Sequence, residues 1–168
     1  MLKITGIIII FLISVLIGWK KTYSLNTNVK INETILLMIK YIETEIRYRS
    51  LRIDNIISNI KANEQYNNLN FINDCEQYLR KNYSFPIAWG KSIKNNSDNL
   101  SKKNVDLLMS FGKYLGTSDI EGQIQNCELH EELFSNELIK AREEKEKKSK
   151  MYTTLGVLCG IGFALFFY

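Results

Sequence analysis

Residues 107–123 read LLMSFGKYLGTSDIEGQ, and this stretch separates a nucleotide-binding α/β protein from a bundle of helices. Its three glycines and Gly-Thr-Ser triplet invite comparison with a phosphate-cradling loop. A Walker loop needs Gly, four residues, then Gly-Lys-Ser/Thr, so that backbone amides and a lysine surround the phosphates. Here Gly112 and Gly116 are four apart, no lysine follows Gly116, and no strand-like run precedes them. A helix–turn–helix reading accounts for the same residues. Gly116 suits the left-handed position just after a helix, Ser118 suits the next N-cap, and Glu121, three residues later, completes a capping box. Gly112 then marks a close approach within the first of the two helices.

Working outward, Ser101 caps a helix bearing Val105, Leu108, Phe111 and Leu115 at helical spacing. After Ser118, Ile120, Ile124, Cys127, Glu131, Phe134, Leu138 and Ala141 keep a near-heptad stripe, and AREEKEKKSK continues without proline or glycine into the apolar C-terminal end. Toward the N-terminus, Ile35, Ile39, Ile42 and Ile46 define a core helix over Thr27–Arg49, and Ser50 can cap a second with Ile53, Ile56, Ile57 and Ile60. Leu69, Ile72, Cys75 and Leu79 mark a third. Ser84 ahead of Pro86 marks the start of a fourth, carrying Ala88, Trp89 and Ile93. No segment alternates with period two. The expected fold is all-α, a bundle of about six helices.

The chain has 168 residues and a net charge of +4, enough for one compact domain. Its ends are apolar and its middle polar. Residues 2–19 and 151–168 each approach the length needed to cross a hydrocarbon layer about 30 Å thick. SVLIGWKKTYS lacks an A-x-A cleavage pattern, so the first segment reads as an uncleaved anchor. The expected division is therefore transmembrane helix 2–19, helical domain 20–150 and transmembrane helix 151–168. Lys20 and Lys21 follow the first span, while Arg142, Lys145, Lys147, Lys148 and Lys150 precede the second. By the positive-inside rule the middle faces the cytoplasm and both termini the far side. Gly156, Gly160 and Ala164 fall at intervals of four, as do Ser14 and Gly18, the small-residue spacing of close transmembrane packing.

The chemistry of the middle is sparse. Glu43 and Glu45 are two apart and point in different directions on a helix, whereas Glu43–Arg47 and Glu45–Arg49 have the supportive i,i+4 order. These four residues read as helix support or as a charged, partner-facing surface. His130, the single histidine, lies in the acid-rich run CELHEELF and reads as a solvated surface residue. Cys75, Cys127 and Cys159 form no C-x-x-C pair and read as small buried hydrophobes. With no G-x-S-x-G and no phosphate loop, an enzyme is not expected, nor is a cofactor or a metal. The basic run before the second span is diluted by glutamates, which argues against nucleic acid and for contact with anionic membrane lipid.

Several segments in order resemble the stage III sporulation protein AB family of endospore-forming bacteria: MLKITG, YIETEIRY, the AW at Ala88 and Trp89, FGKYLGTSD followed by Gln123, and a charged helix leading into LGVLCG. The positions carrying it are Glu43, Glu45, Tyr48, Trp89, Phe111, Gly112, Leu115, Gly116, Asp119 and Gln123. The sequence departs at RSLRI, where the family often has a proline. The resemblance implies a bundle similar to the cytoplasmic domain of type II secretion inner-membrane platform proteins. It also implies a place in the mother cell–forespore channel complex, in the mother-cell membrane, with the other stage III sporulation A-operon proteins as partners. Those include a cytoplasmic ATPase and ring-forming membrane subunits, and a homo-oligomer is admitted. The alternative is a membrane-anchored regulatory or ligand-sensing domain.

Overall fold

The computed structural model describes residues 2–49 and 51–167; of residues 2–12, 14, 15, 153, 156, 157, 159–161 and 163–167 it describes the backbone alone. The described residues form six α-helices: α1 (Leu2–Arg49), α2 (Ile53–Ala62), α3 (Phe71–Arg80), α4 (Phe85–Asn95), α5 (Lys102–Tyr114) and α6 (Ile120–Phe167). Single 3-10 turns lie at Glu64–Tyr66 and Ser97–Asn99. The chain divides into two compact units, residues 30–138 and residues 1–29 with 139–168.

The helix expected from Thr27 is continuous with the N-terminal apolar segment. Residues 19–34 contain no proline or glycine, and the threonines satisfy their hydroxyls within the helix. Thr22, Thr27 and Thr34 donate to the carbonyls of Gly18, Tyr23 and Lys30 at 3.2, 3.0 and 2.9 Å. These bonds remove the competing local structure that threonine otherwise offers.

Within residues 30–138, α2 packs on α3, α3 on α4 and α4 on α5. Ile35, Ile39, Ile42 and Ile46 of α1 and Ile56, Ile57 and Ile60 of α2 are buried as their spacing requires. Trp89 occupies the centre, 1% exposed. Its ring meets Phe71, Phe85 and Phe111 at centroid distances of 5.3, 5.4 and 5.9 Å, and its Nε1 donates to the Leu108 carbonyl at 2.7 Å. A Cβ at Gly112 would fall on that indole ring, so α5 approaches α4 only because this position has no side chain.

Local signals fix the turns. Ser101 accepts from the Asn104 amide at 3.1 Å, an N-cap for α5. Helix α2 starts after Arg52, and the cap expected at Ser50 lies outside the described residues. Helix α3 ends on Asn82, which takes φ +61° while the Tyr83 amide reaches back to the Tyr78 carbonyl at 3.2 Å, a Schellman closure with asparagine in place of glycine. Pro86 lies in the first turn of α4, where its missing N–H costs nothing. A Cβ on Gly116 would stand 3.1 Å from Ile53 and 3.7 Å from Phe85. The turns joining α1 to α2, α3 to α4 and α5 to α6 therefore gather at one end of the unit.

In the second unit, α1 and α6 supply backbone helix through both apolar segments, and the Thr22 hydroxyl lies 3.5 Å from the Ser149 carbonyl. Among the described residues, no helix is long and apolar enough to cross a membrane. At the packing positions expected at Ser14, Gly156, Gly160 and Ala164, and at Cys159, the structure describes the backbone alone, while Gly18 is buried.

Candidate functional site

Three polar arrangements stand out in residues 30–138. The first joins α1 to α6. Arg47 binds Glu43 on its own helix and Glu128 on α6, each at 2.7 Å, and two turns back along α1 Lys40 binds Glu131 at 2.9 Å. The two carboxylates hold the Arg47 guanidinium above its ordinary pKa, Glu43 most strongly. Arg49 lies 3.4 Å from Glu45, which is 5% exposed. Of the four residues expected to face a partner, Glu43 and Glu45 are thus largely covered by the fold, and Arg47 and Arg49 reach solvent. Such a seam orients two helices and stabilises them modestly, because its cations remain wet.

The second is the turn at Tyr114–Gln123. Gly116 takes φ +76°, the left-handed conformation expected of it. The cap is a correction: α6 begins at Ile120, and Asp119 Oδ1 accepts from the Gly122 amide at 3.1 Å. The Ser118 hydroxyl instead donates to the Tyr114 carbonyl at 3.0 Å, and Glu121 accepts from Gln125 at 3.5 Å rather than reaching back. A carboxylate is the stronger acceptor and also meets the positive end of the helix dipole, so Asp119 takes the role. Gln123 clamps the turn, accepting from the Gly116 amide at 3.0 Å and donating to the Ser118 carbonyl at 2.9 Å.

The third is a set of buried polar groups, and it corrects the reading of His130. That residue is 2% exposed. Its Nδ1 lies 2.8 Å from the Asn126 carbonyl and its ring packs edge-on to Phe111 at 5.3 Å. The bond makes Nδ1 the donor and leaves Nε2 bare in the core, without a partner among the described residues. Burial lowers its pKa, against the opposing pull of the Asn126 carbonyl. The expected stripe on α6 steps by four from Cys127 to Glu131, whereas the helix uses a step of three to His130. Asn126 also binds the Phe111 carbonyl at 3.0 Å, tying α6 to the residue beside Gly112. A histidine i,i+4 from Asn126 and Phe134 was the available signal.

Elsewhere, burial would raise the Glu76 carboxyl, but bonds from Lys61 at 2.9 Å and from Arg80 hold it below the usual range. Burial pushes the Cys75 and Cys127 thiols up to about 12, so both stay protonated, in keeping with a packing role. Among the described residues, no group of three or more histidine, cysteine or carboxylate side chains is placed to hold a metal.

These features define a class: an all-helical bundle in which the polar groups named above hold helices in register. The family model of stage III sporulation protein AB matches residues 3–168, and the chain belongs to that family. Membership implies a role in stage III of sporulation, alongside other stage III sporulation proteins. No curated protein and no solved structure matches the chain.

Proposed function

We propose that this protein is a non-enzymatic assembly platform of the channel complex between mother cell and forespore, docking a cytoplasmic ATPase to membrane ring subunits. The observation that carries the reading is the family match across residues 3–168, which includes both apolar ends. Two further features support it. The described side chains of those ends leave Ile13, Leu16, Ile17, Trp19, Leu155 and Leu158 about half exposed or more, which suits hydrocarbon rather than water. The cations at Lys20, Lys21 and Arg142–Lys150 flank them and favour a cytoplasmic middle with both termini on the far side. The bundle would then be held to the mother-cell membrane by α1 and α6, in the compartment of an ATP-driven motor.

Co-purification from crosslinked detergent extracts of sporulating cells tests the assembly, with the ATPase and ring subunits expected in the eluate. Their consistent absence refutes it. Alkaline phosphatase fused after Asn95 tests the topology and should be inactive; an active fusion places the bundle on the opposite side.

A further inference from the structure

Exposed apolar side chains are unevenly distributed over residues 30–138. Among the described residues of this unit, seven large apolar side chains are exposed, and five of them, Tyr48, Tyr83, Ile87, Tyr114 and Ile120, belong to the end where the α1–α2, α3–α4 and α5–α6 turns gather. The turns at the other end, residues 63–70 and 96–101, are asparagine-rich and bury their own Tyr66 and Leu69. This end also presents cations. Arg49 and Arg80 are 68% and 76% exposed over Glu45 and Glu76, which are 6% and 3% exposed, so each pair shows solvent its positive pole. Lys81 and Lys113 are exposed, their ammonium groups 6.0 Å from the Tyr78 ring and 5.6 Å from the Tyr114 ring. Of the other carboxylates at this end, Asp54 is held by Arg52 at 3.0 Å, Asp119 caps α6, and Glu121 accepts from Gln125. Tyrosine and arginine set around aliphatic side chains are the residue types that dominate binding energy at protein interfaces.

We infer that this end of the bundle is a docking surface for an acidic protein face with an apolar centre, and, resting on the platform reading, that the face belongs to the ATPase. The tyrosines and Ile87 supply the apolar contact, and Lys81 and Lys113 steer and orient a carboxylate-rich partner. Residues 30 and 138, where the chain passes out of this unit, lie at the other ends of its portions of α1 and α6.

The test measures binding of the purified ATPase to the full chain in detergent, for wild type, for K81E/K113E, for Y114S and for K102E/K103E at the opposite end. Circular dichroism and the unfolding midpoint establish that each variant is folded. K81E/K113E is expected to weaken binding at least about tenfold and to flatten its salt dependence, Y114S to weaken it without changing that dependence, and K102E/K103E to bind as wild type. Wild-type binding by K81E/K113E and Y114S overturns the inference and leaves the platform reading standing. No binding by wild type removes both. A change in the oligomeric mass of K81E/K113E in place of a change in ATPase affinity also overturns it, assigning the surface to a second copy of the chain.

Discussion

Replacing Gly112 by alanine puts the packing of α4 on α5 to the test. On an exposed helix the change stabilises by about 0.8–1 kcal/mol, since alanine is the better helix former. Here the added Cβ would overlap the Cδ1, Nε1 and Cγ positions of Trp89. The indole has little freedom to yield: it is 1% exposed, flanked by three phenylalanines, and pinned by its bond to the Leu108 carbonyl. Overpacking of this kind costs about 1–3 kcal/mol, and moving the indole off its acceptor adds about 1 kcal/mol. The opposing helix term is smaller, so G112A should be destabilised by about 1–3 kcal/mol, lowering the midpoint by roughly 4 °C per kcal/mol. Gly90 is the control: a Cβ there meets only the flexible end of Met109, at 3.6 Å. G90A should be neutral or stabilised by up to about 1 kcal/mol. The assay is thermal unfolding of the full chain in detergent, followed by circular dichroism and tryptophan fluorescence. A G112A variant as stable as wild type, with unchanged fluorescence, would refute the close approach.

Acidification should destabilise the bundle through His130. Its folded pKa lies below the ordinary 6.5, so its contribution is full above that value and is lost as pH falls from there toward the folded pKa, a slope that H130L should remove from a pH series of unfolding midpoints. Truncating the α6 cap as D119A should cost about 1 kcal/mol, while S118A and E121A stay within about 0.5 kcal/mol in the same assay, the reverse of what a Ser118–Glu121 box requires. Alkylation mapped by mass spectrometry should leave Cys75 and Cys127 unmodified at pH 8 until denaturant is added; rapid labelling in the folded state would contradict their burial.

Much of the fold was legible because helices announce themselves locally. The isoleucine stripes of α1 and α2, the cap at Ser101, Pro86 in the first turn of α4 and the left-handed Gly116 each depend on a few neighbouring residues, and each took the form its local chemistry demands. Gly112 was legible as a close approach, though not what it approaches. His130 was not legible, since a step of three or of four from Cys127 is equally helical, and only the position of Phe111 on α5 decides between the resulting faces. The Asp119 cap was missed because Ser118 and Asp119 are adjacent acceptors, and the turn geometry set by Gln123 diverts the serine to Tyr114.

The amino-acid sequence alone determined the number and kind of elements, the apolar face of each core helix, the two apolar ends and, through its ordered segments, the family. The tertiary structure alone decided which polar residues are inside, that Glu45 and Glu76 lie beneath their arginines, and that three turns remote in sequence bring tyrosines and cations to one end. Periodicity and capping act over one or two helical turns and can be read along the chain, whereas burial and charge juxtaposition depend on which helices meet, a property of the assembled core.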